Sequence, residues 1–545
     1  MFRTLVIGSW VWLACASTSR AQCLNFISPR ITASDGALQA QLGFSIALSA
    51  DGSLLLIGAN NDSAPTQTSG SAYVYSLNGS TWVFQQKLTH PTGVQNTNLG
   101  NAVAITPTGD TLLVGAPLSR GSVFAFRLQS GTWVSQQEVL PANLTGVARF
   151  GSAVGLARTG DRMIVGSPLD TISGSSVGSA YVFRFVPGTP GSWVEEARLL
   201  DPAGSATNSS IASKVALSPA GDIAVISATG YDFGAFTNQG SALVFRRSGI
   251  AWTLEQRLTA PAPATNMAVG QSVALSNDRV VIGTNEAPGG TALVFRYVPG
   301  APGSWVFEQR LVASDTLASD GFGQATYISA GGERVMISAT SGDGATANTG
   351  SVYLFSREDI TWTQKLEINP PGGASNEKFG FSIAVSGGGG RLAVGSMSAN
   401  AANLSSGAAY TYDITPPGEA RAPLASVEIE GQQHAAFSVI ASGVSPISYR
   451  WRHTGVPLID GPSPGGGTIV GSATNAMLIT APGAADAGLY DCVINDSCAY
   501  SVSSAAMLTI STPPATTCPG DADGNGLVNF ADITSVLANF NAVCP

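Results

Sequence analysis

The sequence predicts an all-β chain, a seven-bladed β-propeller followed by two smaller modules. Three observations lead there. A motif returns seven times between residues 40 and 414, each copy reads as four short strands, and Gly, Ser, Thr and Ala fill the turns. The spacing is about 56 residues, a period in the range of solenoids and propellers. Four short antiparallel strands per unit make a propeller blade.

Each copy opens on a small-residue step and an alternating strand: 42-LGFSIAL, 99-LGNAVAI, 150-FGSAVGL, 211-IASKVAL, 269-VGQSVAL, 322-FGQATYI and 379-FGFSIAV. An apolar second strand ends in a small pair, as in 54-LLLIGA, 112-LLVGAP and 163-MIVGSP. A third strand follows, as in 70-GSAYVY and 178-GSAYVF, and in six copies a fourth carries Trp82, Trp133, Trp193, Trp252, Trp305 or Trp362. One Trp per copy in register reads as a packing position. The seventh copy stops at 408-AAYTYDI without a Trp strand. The segment 25–35, NFISPRITASD, is similar to the fifth unit's 306-VFEQRLVASD and is expected to complete the last blade. Such closure leaves only short strand edges.

These repeats resemble the FG-GAP family, best known from the propellers of integrin α subunits. The signals are Phe150-Gly151 with Val165-Gly166-Ser167-Pro168, and Leu99-Gly100 with Val114-Gly115-Ala116-Pro117. Many FG-GAP blades hold calcium in a D-x-D-x-D-G hairpin. Here the corresponding turns (49-SADGS, 106-TPTGD, 158-RTGDR, 218-SPAGD, 276-SND, 329-SAGGE, 386-SGGGG) offer about one carboxylate each, too few oxygens for calcium. Metal is therefore not expected in the propeller.

Before the repeats, residues 1–21 have the form of a secretory signal. Arg3 supplies the basic region, 5-LVIGSWVWLACA the apolar core, and Ser19-Arg20-Ala21 a small-x-small site for cleavage after Ala21. The apolar stretch is too short to span a bilayer, and no transmembrane segment is expected in the mature chain. A net charge of −9 with 11% charged residues leaves no basic stripe for nucleic acid. Secretion to the medium or the cell surface follows. Cysteines are absent from the seven repeats and gather late in the chain, at Cys492, Cys498, Cys518 and Cys544, as in disulfide-stapled exported modules. Cys23 has no evident partner.

Pro416-Pro417 ends the repeats, and 415–423 reads as a linker after the propeller of 22–414. Residues 424–512 resemble an immunoglobulin-like β-sandwich, in 437-FSVIASG, Tyr449-Arg450-Trp451 and Asp486-Ala487-Gly488-Leu489-Tyr490-Asp491-Cys492. By that resemblance Trp451 is the core tryptophan and Tyr490 the tyrosine-corner residue. Val439 stands where the first core cysteine belongs, so Cys492 is expected to bridge to Cys498 across a hairpin instead.

Residues 513–545 carry a 12-residue EF-hand loop, from Asp521 to Asp532. Oxygen side chains stand at positions 1, 3, 5, 9 and 12 and Gly526 at the sharp turn, the set a hard cation requires. With Asp in the last position and a helix after it, the unit resembles a type I dockerin repeat. That resemblance makes Asp521, Asp523, Asn525, Leu527 through its carbonyl, Asn529 and Asp532 the calcium ligands, and a cohesin-like protein a candidate partner. A full dockerin has two such loops and this chain shows one. Cys518 and Cys544 flank it as a candidate clasp.

Catalytic signatures are sparse. The three histidines, His90, His434 and His453, do not cluster in sequence, and no nucleophile elbow, zinc-protease motif or P-loop occurs. Antiparallel blade geometry places each second turn and inter-blade link on one edge. There the connections are long, including 60-NNDSAPTQTS and 229-TGYDFGAFTNQ. Ligand-binding residues concentrate on such loops. Tyr231, Asp232, Phe233 and Phe236 are the leading candidates for stacking on a sugar or a protein surface, the alternative being that Phe233 and Phe236 pack as loop core. The expected function is a secreted or cell-surface binding or adhesion protein without catalysis. The alternative is an extracellular polysaccharide-active enzyme carrying a docking tag.

Overall fold

A computed structural model describes residues 24–414 except 27–29, 34, 64–68, 119, 145, 189–190, 203–209, 301–302, 344–345, 359 and 401–404. Beyond these it describes 427–430, 434–439, 447–495, 500–503, 505–511 and 533. The described chain is all-β but for one 3-10 turn at Ala484–Asp486 and a lone helical position at Ile533. It falls into two compact units, divided at Pro416.

Among the described residues, the first unit is built of seven four-stranded antiparallel sheets, with a small two-stranded ribbon of Thr171–Ile172 and Ser175–Ser176. In the first, Leu42–Leu48, Leu54–Ala59, Ser71–Asn78 and Thr81–Leu88 pair in chain order. Five more follow the same order, beginning at Ala102, Ala153, Ile211, Ser272 and Phe322. The seventh takes three strands from Phe379–Val385, Arg391–Ser396 and Ala408–Ile414, and its outer strand from the start of the chain. Leu24–Phe26 pairs antiparallel with Tyr412–Ile414, and Ile31 bridges to Ala409. Of the expected strand over 25–35, the described residues show a short strand to Phe26 and a bridge at Ile31. Its likeness to the fifth unit extends to side chains: Tyr73 Oη donates to Asp35 at 3.0 Å, as Tyr353 Oη donates to Asp315 at 3.3 Å. The fold is propeller-like.

The small residues of the repeat have a steric cause. In the second strand, a Cβ on Gly58, Gly166, Gly283 or Gly395 would lie 1.9–2.1 Å from the backbone oxygen of Gly100, Ala212, Gly323 or Gly43 in the next sheet. Gly43, Gly100 and Gly323 themselves hold φ of 88–96°, where a side chain is strained. The joint from Gly395 to Gly43 couples the seventh sheet to the first with the same geometry as the internal joints.

The outer strands are tied by a second repeat. Four residues after the Trp, Gln86, Gln137, Gln256 and Gln309 each accept from the backbone N–H of the next sheet's Trp and donate to its carbonyl, at 2.8–3.0 Å. One residue earlier, Glu196, Glu255 and Glu308 accept from the next Trp indole at 2.8–3.3 Å. Losing both bonds of one glutamine at a half-buried site costs about 1–2 kcal/mol. Gln309→Ala is therefore expected to lower stability by that amount in urea denaturation followed by Trp fluorescence, and Gln309→Glu to be at least as costly.

In the second unit, two sheets share one core formed by Phe437, Val439, Trp451, Ile469, Ile479, Tyr490, Cys492 and Leu508. Trp451 is fully buried, and Tyr490 Oη donates to the Asp486 carbonyl at 2.7 Å. The expected Cys492–Cys498 bridge requires correction at the Cys492 end. Cys492 is a free thiol within this core, opposite Trp451 in the strand register, and the Ser503 N–H donates to its carbonyl. Burial pushes the thiol up to about 12, leaving it inert. Cys23, Cys498, Cys518 and Cys544 lie outside the described residues.

Candidate functional site

The inner strands run from a long-loop edge to a short-turn edge, so the second turns and the inter-sheet links share one side of the first unit. The four loop candidates lie there but do not act as one patch. Tyr231 is half-buried, its ring 3.9 Å from the guanidinium centre of Arg257. Asp232 accepts from the Asn238 N–H at 2.7 Å and fixes the loop. Phe233 and Phe236 exchange backbone hydrogen bonds at 3.0 Å and form a hairpin tip. Phe233 is 43% exposed and Phe236 half-buried, which leaves one open ring rather than three.

The same edge holds carboxylates that sequence reading did not single out. Asp62 accepts from Ser71 Oγ and Tyr73 Oη and pairs with Lys87. Asp170 does the same with Ser179, Tyr181 and Arg198. The recurring Gly-Ser-Ala-Tyr at 70–73 and 178–181 was the available signal, since its two hydroxyls need a common acceptor. With their lone pairs engaged, both carboxylates act as structural anchors. Asp320 differs. It is buried, and burial together with the charges of Asp343 and Asp315 outweighs a bond from the Leu317 N–H and holds its carboxyl above the usual range. Among the described residues no three His, Cys, Asp or Glu side chains converge as metal ligands.

At the centre, inner strands of all seven sheets line a cavity of about 440 Å³. Its long-loop collar is made by the third residue of each inner-strand motif. Phe44 and Phe381 meet at 5.0 Å, Asn101 donates to the Ser152 carbonyl at 3.0 Å, and Gln271 donates to Gln324 at 2.9 Å. Lys214 is the one ionisable residue among the described residues of the lining. Its side chain is open to water inside the cavity but ringed by protein, and this desolvation draws its pKa below the ordinary lysine value. Toward the short-turn edge a second cavity of about 210 Å³ is lined by Arg158, Tyr327 and Thr326 among others.

The calcium-loop residues Asp521, Asp523, Asn525, Leu527, Asn529 and Asp532 lie outside the described residues, as do the signal segment and the linker 415–423. No described helix is long and apolar enough to cross a membrane.

Five stretches of the chain, 29–75, 133–183, 252–295, 305–355 and 362–412, match the FG-GAP repeat. Four of them begin on a Trp-bearing outer strand and run to the third strand of the following sheet; the fifth begins in the N-terminal segment that pairs with the seventh sheet. No curated protein matches the chain. Similar solved structures include a putative 6-phosphogluconolactonase from Bacteroides uniformis, 12% identical over 61% of this chain and 86% of that one, with a TM-score of 0.42. Another from Bacteroides fragilis is 16% identical over 65% and 90%, with a TM-score of 0.43. The Ig1-2 module of the Drosophila receptor tyrosine phosphatase DLAR is 24% identical over 18% and 50%, with a TM-score of 0.16.

Proposed function

We propose that this is an exported modular binding protein in which a closed seven-bladed propeller presents its long-loop edge to a carbohydrate or protein surface. An immunoglobulin-like sandwich follows the propeller as a spacer. The C-terminal EF-hand loop, through Asp521, Asp523, Asn525, Leu527, Asn529 and Asp532, binds one calcium ion and stabilises a dockerin-like unit open to a cohesin-like partner. The observation that carries the recognition reading is the Phe233–Phe236 hairpin, an exposed ring on a tip anchored below by Tyr231 and Arg257. Five FG-GAP matches support a binding scaffold.

The test is retention of the mature chain on insoluble cellulose, xylan and chitin. Retention on one of these, weakened about fivefold by Phe233→Ala, is the expected result, since one aromatic stack is worth roughly 1 kcal/mol. Retention untouched by Phe233→Ala and Phe236→Ala overturns the assignment of this tip. Asp320 gives the enzymatic alternative its one foothold, and release of new reducing ends that is lost in Asp320→Asn would establish it. Calcium calorimetry is expected to show one site in the mature chain and none in a truncation ending near residue 514. Sites surviving truncation would move the metal to the propeller turns.

A further inference from the structure

The central cavity is lined by hydroxyl, amide and apolar side chains and one cation. At the fourth position of the inner-strand motif, six sheets carry Ser45, Ala102, Ala153, Ser272, Ala325 and Ser382, and the fourth sheet alone carries a long side chain, Lys214. Its ammonium makes no ion pair and no hydrogen bond with another described residue; only its backbone N–H is engaged, by Ser227. The chain has four lysines, and the other three all have partners: Lys87 pairs with Asp35 and Asp62, Lys378 donates to Ser341, and Lys365 is engaged as well. A cation ringed by protein without a counter-charge is costly. Among the described residues no carboxylate lines the cavity, although the chain as a whole carries a charge of −9. Thr326 Oγ1, on the same lining, is buried without a hydrogen-bond partner.

These features describe an anion site with an apolar wall. The Phe44–Phe381 pair offers ring faces, the collar amides offer donors and acceptors, and a volume of about 440 Å³ lies within the range of small-ligand pockets. We propose that the central cavity binds a carboxylate-bearing sugar, a uronic acid or the acidic end of an oligosaccharide, with Lys214 as counter-charge and the Phe44–Phe381 wall against the sugar ring. The site is separate from the Phe233 tip and stands or falls independently of it.

Reductive ¹³C-methylation of the mature chain keeps the lysine charges and gives four lysine signals besides the N-terminus, with Lys214 assigned through Lys214→Met. Glucuronate, acetate, phosphate and glucose are titrated in turn. The expected result is a saturable shift of the Lys214 signal alone with glucuronate, with a Kd of about 1 mM or tighter, and a titration midpoint raised by about one pH unit. Acetate is expected to bind at least tenfold more weakly and glucose not to bind. Calorimetric glucuronate binding should vanish in Lys214→Met and persist in Lys214→Arg, with unchanged thermal unfolding showing that both variants fold. Equal affinity for acetate removes the sugar from the proposal. A response to phosphate alone replaces the carboxylate class. Absence of any selective shift at Lys214 overturns the site.

Discussion

Gly283→Ala is expected to destabilise the seven-sheet unit by about 3 kcal/mol or more, and Gly395→Ala by a similar amount. The methyl group would sit 1.9 Å from the Gly323 carbonyl oxygen in the first case and 2.1 Å from that of Gly43 in the second. Both obstacles are backbone, so no rotamer change relieves them. The methyl would also displace Ser272 Oγ or Ser382 Oγ, each of which donates to that same carbonyl at 2.7 or 2.8 Å. Separating the sheets enough to admit a methyl would open the packing along a whole strand. Gly388 is the control: a Cβ there meets nothing within 4 Å and its φ is not left-handed, so Gly388→Ala should stay within about 0.5 kcal/mol of the parent. Urea denaturation reads all three. A large loss in Gly283→Ala with none in Gly395→Ala would show that the joint between the seventh and first sheets contributes little.

Glu308→Gln should cost about 3 kcal/mol, the usual penalty for removing one partner from a buried ionic group. The Glu308 carboxylate, 6% exposed, accepts from Arg279 Nε at 3.0 Å, Arg357 Nε at 3.2 Å and the Trp362 indole at 3.3 Å. Burial alone would raise its pKa. The bonds and charge from Arg279, the bond from Trp362 and the charge of Arg357 together outweigh burial and hold it below the ordinary glutamate value of 4.5. Because the folded pKa is the lower one, this contribution is complete above about pH 4.5 and is lost as pH falls through the folded value. Stability measured from pH 7 to pH 3 should therefore fall less steeply in Glu308→Gln than in the parent. Parallel curves would mean that Glu308 has the same pKa in the folded and the unfolded chain.

The outline of the seven sheets could be read from the chain because strand alternation, left-handed glycines and one Trp per repeat are local signals. The same holds for the N-terminal strand, whose Ala33-Ser34-Asp35 ending matched Ala313-Ser314-Asp315 before both aspartates were seen to accept a tyrosine hydroxyl. The glutamines four residues beyond the Trp were equally periodic, but their purpose depends on the neighbouring sheet and so had no local trace. The contact of Tyr231 with Arg257 has no local trace, because Arg257 comes from a strand more than twenty residues away. The Cys492–Cys498 expectation rests on spacing alone, whereas the register sets Cys492 against Trp451 and its thiol within the core. Lys214 stood in plain view within 211-IASKVAL, yet a lone lysine in an alternating strand normally faces solvent. Only the arrangement of seven strands around one axis turns that face into an enclosure.

The pairing of Leu24–Phe26 with Tyr412–Ile414 carries a consequence for biosynthesis. Of the strands in the seven sheets, the one synthesised first belongs to the sheet finished last, so it must wait through nearly 390 residues of synthesis before its partner exists. Until then both termini of the array expose unpaired backbone, which is when misassociation is most probable. Moving the chain ends into the Asn78–Thr81 turn, with a short peptide joining the old ends, would let every sheet be completed from neighbouring segments except the first. Such a circular permutant would shift the seam by one sheet while keeping the same finished architecture.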